Sequence, residues 1–299
     1  MIQGISFIMP GLLEGGMPGS PDPRIIQIGH SPDPDDAFMF HGIASGRVAT
    51  PAGWQVVQVL RDIESLNRMA LQGAIEVTAV SIHAYAYLTD RYALLPCGAS
   101  MGDGYGPMVV ARQPLSLEAL REVTIAVPGR LTSATLALHL ALGEVATEVV
   151  PFDQILPRVV DGTSAAGLLI HEGQLTYADA GLHRILDLGA WWKQETGLPL
   201  PLGGNAVRKD LGEETIGRIS KLLKDSIEYG LAHRDEALDY AIDFGRGLGR
   251  KQADRFVGMY VNDYTLDYGP RGRRAIDLFL QRGADAGILP HRVPVEFTA

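Results

Sequence analysis

Two ionisable residues, His171 and Glu172, stand directly after the apolar run Leu168–Leu169–Ile170 in "AAGLLIHEGQLTY". A strand that buries three aliphatic side chains and ends on an imidazole places a group that titrates near neutrality at a sheet edge, the position of a general base. Three other strand ends carry polar groups of comparable promise. "GHSPDPDDAF" gathers His30, Ser31, Asp33, Asp35 and Asp36 in a turn stiffened by Pro32 and Pro34. Ser81 closes "VTAVS", where it either donates to a ligand or caps the next helix. "VPGRLTSATLALHLALG" sets Thr132 and Ser133 at a helix start, whose free N–H groups suit a carboxylate or phosphate. The loop lacks the Gly-Lys-Ser/Thr ending of a nucleotide-binding P-loop. In open α/β sheets ligands bind outside the carboxyl ends of the strands, so four such ends define one cleft. The expected set is Ser31, Asp36, Ser81, Thr132 and Ser133 for binding, with His171 as the base. Glu172 is expected to face away, because neighbours on an extended chain point to opposite faces, which leaves it a supporting or surface residue.

The elements that must position these groups alternate. Strands are expected at Ile25–Gly29, Gln55–Leu60, Val77–Ser81, Pro107–Ala111, Val123–Val127, Glu148–Val150, Ala166–Ile170 and Ile185–Leu188, with helices between them. Asp62 is a natural N-cap for "IESLNRMALQG", and Gly143 a natural stop for the helix that Thr132 and Ser133 begin. Beyond residue 212 the pattern turns wholly helical, as expected of a tail packed on the outside of a sheet domain. "GPMVVARQPLSLEALR" and "GGNAVRKDLGEETIGR" echo each other as two crossings between lobes. This predicts one lobe from residues 24–108 plus 209–299, and a second from 109–208. Trp191 and Trp192 read as core or lobe packing before ligand stacking.

Composition narrows the function classes. The 299-residue chain is 46% hydrophobic and 20% charged, with a net charge of −9, which disfavours a nucleic-acid groove. Arg271, Arg273 and Arg274 suit a solvated helix face. One cysteine, Cys97, allows no internal disulfide. No Cys/His cluster suggests zinc, and the proline-stiffened aspartates do not follow a calcium-loop pattern. No apolar run is long enough for a membrane span. Residues 1–23 have no basic start of the kind a secretory signal needs; they read as an irregular extension of a cytoplasmic protein. Oligomeric state is not legible.

"SPDPDDAFMF", "GRLTSA", "LLIHEGQLTY" and "DLGAWWKQETGLPLPLGG" occur in the order found in the 1,4-dihydroxy-6-naphthoate synthase family of the futalosine route to menaquinone, which the chain resembles over roughly residues 24 to 290. The resemblance implies a two-lobed α/β fold like that of periplasmic binding proteins (type II), with the substrate between the lobes. It implies cleavage of cyclic dehypoxanthinyl futalosine to the dihydroxynaphthoate and a three-carbon fragment, with His171 as catalytic base and Asp36, Ser81, Thr132 and Ser133 at polar cleft positions. The family commonly reads Ser-Pro-Cys-Pro-Asn-Asp where this chain has Asp33 and Asp35, and has histidine where Leu131 stands.

The expected chemistry is a base-assisted, retro-aldol-like carbon–carbon cleavage of an aromatic carboxylate, calling for no cofactor. The rivals are a binding protein of the same fold that traps a small carboxylate unchanged, and the related chorismate dehydratase. Fold alone does not separate binding from chemistry.

Overall fold

The computed structural model describes residues 23–298. The extension expected over residues 1–23 lies, Pro23 apart, outside the described residues. Two sheets organise the rest. The first contains β1 (Arg24–His30), β2 (Trp54–Leu60), β3 (Val77–Ser81), β4 (Tyr92–Leu94) and β5 (Ser100–Gly102). The second contains β6 (Met108–Ala111), β7 (Ile125–Val127), β8 (Thr147–Val149), β9 (Ala166–Leu169) and β10 (His183–Asp187). The chain then returns as β11 (Leu200–Arg208) to the first sheet, whose order is β2-β1-β3-β11-β4 with β5 also on β11. The second sheet runs β10-β6-β9-β7-β8.

Both sheets are mixed. β1 pairs parallel with β2 and β3, while β11 runs antiparallel to β3 in the register Gly203↔Ser81 to Val207↔Val77. β7 pairs parallel with β8 and β9, and β6 lies antiparallel to β9. β3 and β9 are buried along their whole length, as near-continuous apolar runs in covered sheets must be. Gly29 in β1 lets the neighbouring layer approach closely: a Cβ there would sit 2.7 Å from Ile75 and 2.8 Å from Leu66.

Each strand expected from the sequence forms, with ends shifted by a residue or two. β4 and β5 were not anticipated; three residues give too little alternation to read. β11 was read only as the second crossing between lobes, at "GGNAVRK". It pairs in the first sheet from Leu200, ahead of the boundary at residue 209 expected from the internal echo. Gly203, Gly204 and Asn205 hide it, since these residues are scarce in strands.

The helices cap as their sequences require. Asp62 accepts from the Ser65 amide at the start of Ile63–Leu71. Thr132 accepts from the Thr135 amide at the start of Ser133–Leu142, which stops at Gly143 with φ 80°. The tail forms the helices Glu213–Ala232, Arg234–Ile242, Arg250–Tyr260 and Gly269–Asp285. The first three cover the Pro34–Ala44 helix in a core built on Ile26, Phe38, Phe40 and Phe256. A second core runs from Val80 and Leu94 of the first sheet to Val109, Leu136 and Phe279. Trp192 is buried there, donating from its indole N–H to the Pro199 carbonyl at 3.0 Å. No helix among the described residues is long and apolar enough to cross a membrane.

Candidate active site

The two sheets face a shared cleft, a concave site of the kind in which small molecules bind. Ser31, Asp36, Ser81, Thr132, Ser133 and His171 all border it. Four strand ends far apart in sequence thus meet in space. The apolar part of the wall comes from Ile63, Ile170, Leu202 and Phe256.

One side of the cleft is charged. β9 ends at Leu169 and the chain turns helical, with φ −54° and ψ −19° at Glu172. The alternation that would have sent Glu172 away from His171 therefore stops before it applies, which corrects the expected orientation. Ligating atoms of Asp33, His171 and Glu172 lie within 4.8 Å of one another. Nδ1 of His171 is 3.0 Å from Oδ2 of Asp33, and its Nε2 is buried without a hydrogen-bond partner among the described residues. The ring stands edge-on to Phe152, centroid to centroid 4.2 Å.

Asp33 is the N-cap of the Pro34–Ala44 helix, yet its side chain makes no capping bond. Instead Oδ2 also accepts from the Ser31 hydroxyl at 2.7 Å, and Oδ1 accepts from Arg246 at 2.8 Å. Burial alone would raise its pKa, but His171, Arg246 and the Ser31 hydroxyl together hold it well below the usual carboxylate range. Asp36 accepts from the Ser31 amide at 2.7 Å. Burial pushes the pKa values of Asp36 and, more strongly, Asp35 upward, and the neighbouring carboxylates add to the effect.

Asp33, His171 and Glu172 have the composition of a cation site. The guanidinium of Arg246 already bridges the two carboxylates, 2.8 Å from Asp33 and 2.9 Å from Glu172. Positive charge at that point is supplied by the chain itself, and a divalent ion would compete with it for both acids.

The opposite side is neutral and rich in hydroxyls. The Ser133 hydroxyl donates to the Leu202 carbonyl at 2.5 Å and accepts from the His83 amide at 3.2 Å. Thr132 spends its side chain on the helix cap and on the Gly129 carbonyl, while its own carbonyl meets Nδ1 of His83 at 3.2 Å. Burial lowers the His83 pKa to about 4. Glu64 reaches across to accept from the Leu131 amide at 3.3 Å, which Gly129 permits because a side chain there would collide with the carboxylate. Ser81 caps nothing with its hydroxyl; it accepts from Asn67 at 3.1 Å.

Other groups singled out from the sequence do not reach the cleft. His30 is fully buried, stacked on Phe40 at 4.3 Å and bonded to Gln58. Neither tryptophan of the pair borders the cleft. Conversely, Gly203, Gly204, Asn205 and Tyr260 line it unforeseen. Nothing local marked Arg246 either, since its partners are remote in the chain.

A family model described as menaquinone biosynthesis matches residues 26–285. A 1,4-dihydroxy-6-naphthoate synthase of Thermus thermophilus is 45% identical over 252 residues, covering 84% of this chain and 91% of that protein. A crystal structure of a protein from Archaeoglobus fulgidus superposes with a TM-score of 0.85 at 46% identity, over 88% of this chain and 98% of that one. The alkanesulfonate-binding protein of Xanthomonas axonopodis pv. citri, only 11% identical, still gives a TM-score of 0.68 over 92% of this chain and 97% of its own. That last likeness identifies the fold, the two-lobed architecture of periplasmic binding proteins. With the family model spanning most of the chain and a relative at 45% identity, this protein is a member of the menaquinone-biosynthesis family.

Proposed function

We propose that the protein is a 1,4-dihydroxy-6-naphthoate synthase, a carbon–carbon lyase that converts cyclic dehypoxanthinyl futalosine to 1,4-dihydroxy-6-naphthoate. The family and its curated synthase relative supply the reaction. The observation that carries the role of the site is the geometry of His171, whose Nδ1 is anchored on buried Asp33 while Nε2 has no partner among the described residues. A carboxylate at one ring nitrogen fixes the neutral tautomer with its proton on Nδ1, so that Nε2 is free to accept.

In this reading Nε2 of His171 takes a substrate hydroxyl proton. The oxygen's electron pair becomes a carbonyl as the adjacent carbon–carbon bond breaks, and the electrons released on the ring side are absorbed as the second ring becomes aromatic. Asp33 orients the imidazole and stabilises the imidazolium that forms. The substrate carboxylate docks at the start of the Ser133–Leu142 helix, whose first residues, Ser133 and Ala134, border the cleft. Helix-start amides lack partners within the helix and favour an anion. Ser31, Asp36 and Ser81 complete the polar wall on the other lobe.

The test is to incubate the purified protein with cyclic dehypoxanthinyl futalosine and detect the naphthoate by mass spectrometry. His171→Ala is expected to lose activity about 10²- to 10⁴-fold. A fully active His171→Ala variant would remove the base assignment. Tight binding of the substrate without turnover would instead favour a binding protein.

A further inference from the structure

Arg246 does not border the main cleft, yet it touches everything that holds His171 in place. It sits in the turn between the Arg234–Ile242 and Arg250–Tyr260 helices, which pack on the helix that Asp33 begins. Arg246 and Asp33 thus ride on the lobe of the first sheet, whereas His171 and Glu172 follow β9 of the second. The guanidinium donates to Asp33 at 2.8 Å and to the Pro32 carbonyl at 3.2 Å on its own lobe. Across the cleft it donates to Glu172 at 2.9 Å. It also lies over the Phe152 ring at 4.6 Å, the ring that stands edge-on to His171. Its backbone has φ 47°, the one positive value at a non-glycine residue among those described. A side chain adopts that region only where its surroundings over-determine it.

We infer that Arg246 is a positioning residue that clamps the lobe carrying Asp33 onto the lobe carrying His171, so that the oriented base exists only while the cleft is closed. The inference rests on the proposed role of His171. When the lobes part, Asp33 and His171 separate with them, because no element joins the two side chains locally. Arg246 stays with Asp33, so the buried carboxylate keeps its counter-charge, and the bond given up is the one to Glu172. That bond holds the residue next to His171, which couples closure to imidazole placement. A planar fork is needed, since it must address two carboxylates and a carbonyl at once, and the single ammonium of lysine reaches fewer of them. Closure that completes a catalytic constellation ties turnover to a ligand that fits between the lobes.

The experiment uses the full chain and four variants: Arg246→Gln, Arg246→Lys, Glu172→Gln and the Arg246→Gln/Glu172→Gln double. Both Gln single variants are expected to lose kcat, about 10²-fold for a base displaced by around an ångström, with KM changing much less. The double variant should be no worse than Arg246→Gln alone, because the two groups share one interaction. Arg246→Lys should recover part of kcat. Small-angle X-ray scattering should show a more extended particle for Arg246→Gln than for wild type. Glu172→Gln leaves the Arg246 backbone and Asp33 intact, so it decides the matter if Arg246→Gln folds poorly. Wild-type kcat and compactness in either Gln variant, or losses that simply add in the double, would overturn the clamp. Should wild type form no naphthoate, the functional reading fails by itself, and the scattering difference alone then decides the clamp.

Discussion

The two sides of the cleft are held together by different chemistry. On the His171 side the lobes meet through carboxylates: Asp33 against the His171 ring, and Arg246 between Asp33 and Glu172. On the Thr132 side they meet through neutral groups and backbone, with Ser133 bridging the Leu202 carbonyl and the His83 amide. Glu64 adds a carboxylate there, on the Leu131 amide. The charged side concentrates charge around the proposed proton transfer, in a buried setting that strengthens each pairing. The neutral side carries the helix start at which the substrate carboxylate is proposed to dock. On the proposed reading the contrast separates a place for reaction from a place for docking, although both close the same cleft.

Breaking the ionic side should cost most. Asp33→Asn keeps the shape but removes the charge that fixes the His171 tautomer, and an amide offers the ring a donor as readily as an acceptor. We expect a kcat loss on the order of 10²- to 10⁴-fold, with a smaller effect on KM, measured as steady-state turnover of the cyclic futalosine. An unchanged kcat would mean that the carboxylate serves the lobe contact alone.

Acid should separate the sides in the opposite order. A histidine whose pKa falls from 6.5 to about 4 on folding binds fewer protons in the native state. Its stabilising contribution is therefore whole above pH 6.5 and declines as pH falls toward 4, by about 3 kcal/mol in all at 1.36 kcal/mol per unit. Asp33, with its pKa depressed in the folded state, contributes stability above its unfolded value near 4 and loses it only as pH falls through its lower native value. Between pH 6.5 and 4 the neutral side should weaken while the ionic side holds. Urea unfolding of wild type and His83→Gln across this range checks the point. The variant's stability should fall less steeply with acid, and parallel curves would assign the slope to other groups.

How much of this was legible beforehand depends on distance along the chain. The end of β3 at Ser81, the Thr132 cap and the imidazole after β9 are local patterns of alternation, hydroxyl and glycine, and each emerged from a few consecutive residues. The partners of Asp33 were not, because Arg246 lies 213 positions away in a helical tail read only as packing on the outside of a sheet domain. Asp33 was read only as one of several polar groups in a stiff turn, and only the structure shows its side chain turned from the helix toward His171. Glu172 was misplaced for a related reason. The rule that neighbours alternate holds inside a strand, and β9 stops before Glu172 is reached. Gly203, Gly204 and Asn205 were legible as a turn-like composition but not as a cleft wall, since their pairing with β3 is non-local.

The smallest effect should come from the neutral side. In Ser133→Ala the Leu202 carbonyl loses its donor and the His83 amide its acceptor, but the helix cap at Thr132 is untouched. Each lost bond is worth about 1 kcal/mol net, and cleft water can replace part of it. The expected result is a KM raised by up to about tenfold, 1.4 kcal/mol being a factor of ten, with kcat nearly unchanged, because the imidazole and its carboxylate stand on the other side. A kcat loss comparable to that of Asp33→Asn would collapse the distinction between the sides, since closure at Ser133 would then be as necessary to the oriented base as the ion pairs are. A KM effect alone would sharpen it, by showing that the hydroxyl side sets how firmly the ligand is held and the charged side how fast it reacts.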